Sequence, residues 1–286
     1  MRIAFLASDK PREQLLADAF LQGVRRHGHT TETIPLGTED RIGTYDVAVM
    51  VGVKSRELFN RHRAAGVPVI YMDKGYSRHK AENGRRGWEF WRVSIDHHHP
   101  TDRLATITMP SDRWDRLGFR IKPWRPVSRA GPIILAGSSA KYHEFYGLKE
   151  PTTFAKDLVR DIRAVSNRPI VYRPKPSWRE AVPLKKTAFS RLPETLDDLL
   201  KTAHVLVTHG SNACFEAVLA GVPAIVTGAG VTRDIGSTDL ADIEAPFMAS
   251  DNARLRLFHN LAWFQWTAAE MASGAAWDFI GTEIHQ

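Results

Sequence analysis

Residues 204–227 read HVLVTHGSNACFEAVLAGVPAIVT, and this stretch decides the fold class. Its apolar run at 205–207 has the length and composition of a buried strand, and a small polar loop follows it. A helical pattern then begins near Asn212, and residues 223–227 form a second apolar run. Strand, loop, helix and strand in this order form a βαβ unit, which requires a parallel sheet.

The same alternation recurs on both sides of a turn-rich segment, PVSRAGP at residues 126–132. We therefore predict two α/β domains in tandem, residues 1–128 and 129–286. The predicted strands are 3–7, 47–51, 67–72, 93–95, 133–136, 169–172, 204–208 and 223–227. The predicted helices are 14–26, 55–65, 153–164, 196–203 and 213–220. A terminal helical segment, 252–274, is expected to cover a sheet or to pack across the domain interface.

Length and composition limit the class of protein. The 286 residues are 43% hydrophobic and 25% charged, which indicates a globular chain and excludes disorder. The single cysteine, Cys214, cannot form an internal disulfide, and no Cys/His spacing typical of structural zinc occurs. No window approaches the roughly 18 consecutive apolar residues of a membrane helix. We expect a soluble protein of the reducing cytoplasm that carries no export signal.

Positive charge is concentrated in the first half of the chain. The formal net charge is +7, and residues 51–130 alone hold 17 basic and 8 acidic residues. Such asymmetry predicts association with a polyanion, whether nucleic acid, acidic glycan or membrane surface.

The loop between the strand and the helix of residues 204–220 is a candidate phosphate site. Ser211 or Asn212 caps the predicted helix, and the backbone N–H groups at a helix start favour an anion such as a diphosphate. Glu216 lies about one turn inside the helix, where its carboxylate can accept hydrogen bonds from ribose hydroxyls. The same spacing equally fits a plain helix cap with a solvated glutamate.

The string VTHGSNACFEAVLAGVPAIVTG, residues 207–228, resembles the nucleotide-sugar signature of B-type glycosyltransferases. The resemblance implies two Rossmann-like domains that face a central cleft, with the acceptor on the N-terminal domain and the donor on the C-terminal one. It implies that His209, Gly210, Ser211 and Asn212 face the donor diphosphate and Glu216 the ribose, with a UDP-sugar as the expected co-substrate. Sugar-nucleotide 2-epimerases share this signature.

Two further loops agree with this placement. Gly137, Ser138, Ser139 and Lys141 follow the first strand of the second domain, where the resembling enzymes bring a Gly/Ser loop to the donor phosphates. Arg173-Pro-Lys175-Pro follows the next strand and supplies two cations. Similar polysaccharide enzymes have Arg-Pro-His-Pro there, so Lys175 retains a point charge but loses a histidine's proton transfer. Each loop taken alone also fits an exposed surface loop.

Several motifs are missing from the sequence. A P-loop is absent, and Gly228-Ala-Gly230 lacks the third glycine of a nicotinamide fingerprint. A-type glycosyltransferases usually hold a divalent cation with an Asp-x-Asp motif, and none occurs here. We therefore expect basic residues and helix termini to meet the phosphate charge without an obligate metal or other cofactor. The consecutive run of His97, His98 and His99 is a poor metal site, because neighbours on a strand point to opposite faces.

The first domain has a basic, aromatic-rich stretch that predicts an acceptor surface. Its candidate acceptor-binding residues are Lys74, Tyr76, Arg78, Arg85, Arg86, Trp88 and Trp91. Trp114 and Trp124 continue the pattern, and the mixture suits phosphates and flat rings. The alternative is a solvated basic loop whose tryptophans anchor it to the core.

An inverting transfer needs one base to take the proton of the acceptor hydroxyl. Asp73 and Asp96 each end a predicted strand of the acceptor domain, and His97 lies beside Asp96, so these three are the candidate catalytic residues. Each aspartate also fits a cap of the turn that follows it.

We expect a glycosyltransferase with a polyanionic acceptor. In architecture and charge the chain resembles viral enzymes, including those of bacteriophages, that glycosylate DNA. This favours double-stranded DNA containing 5-hydroxymethylpyrimidine as acceptor, in the host cytoplasm, with loop 84–91 helping to extrude the base. The alternatives are a capsular or lipid-linked glycan acceptor, a sugar-nucleotide 2-epimerase, and a nucleic-acid-binding module with a decayed nucleotide site.

Overall fold

A computed structural model describes residues 1–37, 41–52, 55–77, 90–126 and 130–284. The chain divides into two compact units, which are Met1–Pro100 together with Asn260–Gln286, and Thr101–His259. No helix in the described part of the chain is both long and apolar enough to cross a lipid bilayer.

The first unit begins with alternating strands and helices. In chain order these are β1 (Arg2–Ala7), α1 (Pro11–Arg26), β2 (Thr30–Pro35), β3 (Val47–Val51), α2 (Arg56–Ala64), β4 (Val69–Lys74) and β5 (Trp91–Ile95). Strands β2, β1, β3 and β4 lie in this order and are parallel, whereas β5 runs antiparallel beside β4. All residues of β3 are buried, as expected for a strand inside a parallel sheet covered on both faces.

The second unit contains a five-stranded parallel sheet and several helices. Its elements are α3 (Thr101–Thr106), α4 (Asp112–Leu117), β6 (Ile133–Ala136), α5 (Ala140–Tyr146), α6 (Pro151–Val165), β7 (Ile170–Arg173), β8 (Ala188–Phe189), α7 (Leu196–Leu200), β9 (Val205–Thr208), α8 (Ala213–Leu219), β10 (Ala224–Val226), two 3-10 helices (Arg233–Ile235 and Leu240–Glu244) and α9 (Asp251–Ala262). The strand order is β10-β9-β6-β7-β8, all parallel. Ile133, Val205 and Ile225 of three strands are buried in one core with Ile162 of α6.

The chain returns to the first unit at its C-terminal end, through β11 (Gln265–Trp266), α10 (Ala268–Ser273) and α11 (Ala275–Ile284). The predicted helix 252–274 is therefore interrupted, because β11 pairs antiparallel with β5 and extends the first sheet. Helix α10 packs closely on α1. A Cβ atom on Gly23 would lie 2.0 Å from the carbonyl oxygen of Met271, so this contact requires glycine.

The boundaries of the two compact units differ from the predicted domain boundary at residue 128, a residue outside the described ranges. Residues 101–126 belong to the second unit because buried side chains hold them there. The guanidinium of Arg254 lies 3.9 Å from the ring centroid of Trp124 and donates to the carbonyl oxygens of Lys122 and Val218 at 2.7 and 2.8 Å. The buried ring of Trp114 packs on a ring of α9.

Candidate functional site

Three predicted loops lie side by side at the carboxyl edge of the second sheet. Ala136 at the end of β6 is in register with Arg173 at the end of β7, and the N–H of Gly137 donates to the carbonyl oxygen of Arg173 at 2.9 Å. On the other side of β6, the hydroxyl of Thr208 in β9 donates to the carbonyl oxygen of Ala136 at 2.8 Å. We call residues 137–139, 173–175 and 208–212 the loop cluster.

The loop cluster surrounds the point where the strand order reverses. From β6 the chain proceeds to β7 and β8 on one side of β6, and then to β9 and β10 on the other side. Helices on opposite faces diverge at such a point and leave a crevice, which is where open α/β sheets bind ligands. Loops 137–139 and 208–212 flank this crevice.

Arg173 is a buried cation within the loop cluster. Only 8% of the residue is exposed, and its Nη1 donates to the hydroxyl of Ser190 at 2.8 Å. Among the described residues, no carboxylate oxygen lies within 4 Å of its guanidinium. Burial lowers the pKa of Arg173, against the opposing effect of the carboxylates of Glu194 and Glu216. The side chain is therefore suited to an anion that neutralises it at close range.

Ser138 is the second distinctive residue of the cluster. Its residue is 6% exposed, and its hydroxyl makes no hydrogen bond to any described group. Its neighbour Ser139 is occupied, since its hydroxyl accepts from the N–H of Tyr142 at 3.3 Å and caps α5. A buried unpaired hydroxyl costs about 1–3 kcal/mol, which a hydrogen-bonding ligand would offset.

The β9 loop is shaped by a close aromatic contact. A Cβ atom on Gly210 would lie 1.9 Å from the hydroxyl oxygen of Tyr142, so only glycine fits beneath that ring. His209 shares a hydrogen bond of 3.2 Å with the hydroxyl of Thr227. Burial, together with the nearby His143 and Arg233, lowers the pKa of His209. The imidazole is therefore neutral near pH 7 and can accept or donate a hydrogen bond.

The other predicted donor residues occupy less constrained positions. The hydroxyl of Ser211 accepts from the N–H of Ala213 at 3.3 Å, and Asn212 is the N-cap residue of α8. Glu216 is half-buried in the first turn of this helix of seven residues, and its charge acts on Arg173. Lys175 is half-buried and Lys141 is exposed.

Asp73 lies at the carboxyl edge of the first sheet, where the strand pattern predicts it, but both of its oxygens are occupied. Oδ2 accepts from Nη2 of Arg92 at 3.0 Å, and Oδ1 accepts from the N–H of Lys74 at 2.7 Å. Arg92 is 5% exposed. Burial opposes its charge, but the charges of Tyr76 and Asp73 prevail and raise the pKa of Arg92. The carboxylate of Asp73 is therefore engaged by a buried guanidinium and by the backbone of its own strand.

Asp96 and His97 are not at this edge, contrary to the expectation. Because β5 runs antiparallel to β4, its end lies at the opposite edge of the sheet. There Oδ1 of Asp96 accepts from the N–H of Val69 at 2.9 Å, and the residue has a left-handed φ of 56°. His97 is exposed in the same bend, and its carbonyl oxygen accepts from Ser94 at 2.6 Å. Asp96 thus caps the start of β4.

Histidines 98 and 99 are interior groups. His98 shares a hydrogen bond of 2.8 Å with the hydroxyl of Tyr71, and burial, helped by Arg92, lowers its pKa to about 3. His99 shares a hydrogen bond of 2.7 Å with the hydroxyl of Tyr76, whose residue is 1% exposed. Tyr76 is therefore a core residue and not part of an acceptor surface. Within the described residues, no group of three or more His, Cys, Asp or Glu is placed to hold a metal ion.

The predicted acceptor surface is only partly described. Trp91 is half-buried, with the guanidinium of Arg12 4.7 Å from its ring centroid, and Lys74 is half-buried beside it in the sheet. Trp124 donates from Nε1 to a carbonyl oxygen within the second unit at 2.7 Å, so it anchors the chain, as Trp114 does. The remaining candidates lie outside the described residues: Arg78, Arg85, Arg86, Trp88 and most of loop 84–91.

Glu13, which no sequence motif singled out, is a carboxylate at the carboxyl edge of the first sheet. It lies in the first turn of α1, and its side chain is 16% exposed. A Cβ atom on Gly52, the residue after β3, would lie 3.5 Å from its Oε1. The available signal was an acidic residue at the start of the helix that follows the first predicted strand.

Comparisons with known proteins support the fold. No protein-family model matches the sequence, and no curated protein does. Among solved structures, the Thermosulfurimonas dismutans KpsC beta Kdo 2,4 transferase is similar, with a TM-score of 0.58 and 13% identity over 93% of this chain and 92% of that one. The beta Kdo 2,7 transferase of the same protein has a TM-score of 0.54 and 15% identity over 96% and 98%. The chain has the fold of B-type glycosyltransferases, built of Rossmann-like units, as its sequence predicts.

Proposed function

We propose that the protein is a glycosyltransferase that moves a sugar from a nucleotide-activated donor to a hydroxyl of an acidic acceptor. The observation that carries this proposal is Arg173, a buried guanidinium at the end of β7, the strand next to β6, with no carboxylate oxygen within 4 Å among the described residues. A phosphate of the donor supplies the missing negative charge. The likeness in fold to two Kdo transferases supports the reaction class.

In this proposal the loop cluster holds the donor. Arg173 donates to a phosphate through its planar guanidinium, and the unpaired hydroxyl of Ser138 adds a further hydrogen bond. Lys175 adds a point charge, and Glu216 accepts hydrogen bonds from the ribose. The donor proposed is a nucleoside-diphosphate sugar, with UDP as the first nucleotide to test.

The leaving group decides what these residues must do. As the bond from the anomeric carbon to the phosphate oxygen breaks, that oxygen gains negative charge. Fixed cations stabilise this charge more in the transition state than in the bound donor, so they accelerate departure. We propose that Arg173 and Lys175 provide this effect, without an obligate metal ion.

The acceptor proposed is an acidic glycan bound by the first unit. The two structures that share the fold are named for transfer of Kdo, and a basic stretch fits an acidic acceptor. DNA containing 5-hydroxymethylpyrimidine was the first expectation from the sequence. Its support weakens because Tyr76 and Trp114, two aromatic residues of that predicted surface, are buried, and the half-buried Trp124 is hydrogen-bonded within the second unit.

The test is a matrix of donors and acceptors. Purified protein is incubated with UDP-, GDP- and dTDP-hexoses and with nucleotide-activated Kdo. The acceptors are an acidic capsule-type oligosaccharide, unmodified DNA and DNA containing 5-hydroxymethylcytosine or 5-hydroxymethyluracil. A mass gain on the oligosaccharide with release of nucleotide supports the proposal. A gain on a modified nucleoside moves the acceptor to DNA, and interconversion of a UDP-sugar epimer without transfer indicates an epimerase. No turnover with any pair contradicts a transferase.

A further inference from the structure

Residues 179–192 include β8, the strand at one edge of the second sheet, and we call them the edge segment. The segment is anchored by its inward-facing side chains. Leu184 is 5% exposed and Ser190 is 1% exposed, and the ring of Phe189 packs on that of Tyr172 with 5.9 Å between their centroids. Burial therefore fixes the edge segment on the surface of the second unit.

Two large apolar side chains of the edge segment face solvent. Val182 is 47% exposed and Leu192 is 69% exposed. The guanidinium of Arg191 donates to the carbonyl oxygen of Ala181, so the residues that precede these two side chains lie together. A single exposed apolar residue is ordinary, whereas two on one anchored segment form the kind of patch that contacts a partner.

Four exposed cations accompany the two apolar side chains. They are Arg179, Lys185, Lys186 and Arg191, and the only acidic residue of the segment is Glu180, which leaves a net charge of +3. None of the four cations lies within 4 Å of a carboxylate oxygen in the part of the chain that the structure describes. By contrast, three exposed cations elsewhere in this unit pair with aspartates at 2.6 to 3.0 Å: Lys149, Arg160 and Lys201.

We propose that the edge segment binds the surface of an anionic lipid bilayer. Headgroup phosphates meet the four cations, and Val182 and Leu192 enter the boundary between the headgroups and the acyl chains. An acidic oligosaccharide would meet the cations but would leave both apolar side chains against hydroxyl groups and water, so a bilayer fits more of the surface. The inference stands apart from the proposed function, because binding to a bilayer needs neither donor nor acceptor.

The experiment measures sedimentation of the purified full chain with vesicles of phosphatidylcholine, alone or mixed with phosphatidylglycerol. The protein should bind the mixed vesicles only, and added salt should weaken this binding. The double variant Lys185→Gln with Lys186→Gln should bind about 25-fold more weakly, because each cation near an anionic surface contributes about fivefold. Leu192→Gln should bind about tenfold more weakly, because it removes the apolar side chain that enters the bilayer.

Two matched controls lie in the first unit. Arg56→Gln with Arg63→Gln removes the same charge from exposed positions of α2 and its end. Leu15→Gln removes a leucine that is 71% exposed, close to the exposure of Leu192. Both controls should bind the mixed vesicles within twofold of the wild type.

A fluorescent label separates insertion from attraction by charge alone. The native Cys214 is 0% exposed, so Leu192→Cys can be labelled selectively with an environment-sensitive fluorophore. Its emission should shift to shorter wavelength on the mixed vesicles, and that of labelled Leu15→Cys should not.

Three results would overturn the inference. They are no binding of the wild type to mixed vesicles at low salt, binding of the edge-segment variants within twofold of the wild type, and an unchanged emission of the label at position 192. Binding of an acidic oligosaccharide without binding of vesicles would also overturn it, and would identify a glycan surface instead. These results leave sugar transfer untouched, because the matrix of donors and acceptors tests it separately.

Discussion

The two units each bury an arginine at the carboxyl edge of their sheet, and the two arginines differ in how their charge is met. Arg92 in the first unit is 5% exposed and forms an ion pair of 3.0 Å with Asp73. Arg173 in the second unit is 8% exposed and has a neutral serine as its side-chain partner. The pKa shifts of the two guanidinium groups agree with this difference. Nearby charges raise the pKa of Arg92, whereas burial lowers the pKa of Arg173.

The comparison shows how a structural arginine is distinguished from a ligand-binding one. Burial and position at a strand end are common to both residues, so neither property identifies a site. When a buried cation is neutralised within the protein, removing either partner leaves the other charge uncompensated and destabilises the fold. A buried cation without such a partner costs free energy in the unliganded protein, and an anionic ligand removes that cost. We therefore expect substitution of Arg92 to lower the free energy of unfolding, and substitution of Arg173 to leave it unchanged or raise it.

The largest effect is expected for Arg92→Met. This change leaves the Asp73 carboxylate, whose side chain is 30% exposed, without its cation, and it also removes the contact of Arg92 with His99 at 3.3 Å. The free energy of unfolding should fall by about 3 kcal/mol. Denaturant unfolding measures this. The matched control is Arg2→Met, which breaks an exposed pair with Asp46 and should cost under about 1 kcal/mol. Equal losses in both variants would contradict the interpretation of Arg92.

Arg173→Gln should have the opposite pattern. Stability should be unchanged or raised, because the substitution removes a buried charge that has no carboxylate oxygen within 4 Å in the described parts of the chain. The dissociation constant for the donor nucleotide should rise about 100-fold, since two charge-assisted hydrogen bonds are lost. Calorimetric titration with the nucleotide diphosphate measures this value. Arg160→Gln, on the exposed face of α6, is the control. A large loss of stability without a loss of affinity would show that Arg173 is structural.

Much of the fold could be predicted because apolar runs mark the buried strands and parallel strands align their ends. Two of the departures from the predicted fold have clear physical causes. Strand β2 was missed because TTETIP is an edge strand in which only Ile34 is buried, so its sequence lacks the apolar alternation. The direction of β5 was not predicted, because alternation is the same in parallel and antiparallel strands. That direction alone moves Asp96 to the opposite edge.

The candidate site likewise has features that the sequence predicts and features that it does not. The pattern of strand ends predicted where Gly137, Arg173 and His209 lie, since these follow three strands of one parallel sheet. It could not predict that Asp73 has a buried partner, or that the ring of Tyr142 covers Gly210. Those facts depend on residues distant in sequence. Whether a charged group is neutralised is a tertiary property.

His98 provides a smaller test of how strongly burial in the first unit opposes a positive charge. Burial and the positive charge of Arg92 keep the folded-state pKa of His98 at about 3, against 6.5 for the unfolded chain. Because the unfolded state binds the extra proton, stability is greatest above pH 6.5 and falls as the pH decreases toward 3. The contribution of His98 should fall by about 2 kcal/mol between about pH 7 and pH 5. The difference between wild type and His98→Gln in urea unfolding isolates it, and an identical pH dependence would contradict it.

Ser138→Ala should change stability and affinity by the smallest amounts. It is nevertheless a specific test of the second unit, because stability should rise while nucleotide affinity falls. The hydroxyl of Ser138 is buried with no partner among the described groups, so its removal should raise the free energy of unfolding of the unliganded protein by about 1 kcal/mol. If that hydroxyl donates to a donor phosphate, the same change should weaken nucleotide binding by about fivefold to tenfold. Ser139→Ala is the contrast, since Ser139 caps α5 and its loss should lower stability. Thermal unfolding with and without nucleotide measures both quantities in one experiment. A Ser138→Ala protein that is less stable both with and without nucleotide would mean that the hydroxyl has a structural partner. Of the loop cluster, only Arg173 would then remain as a buried group whose polarity is met by no close partner of opposite charge among the described residues.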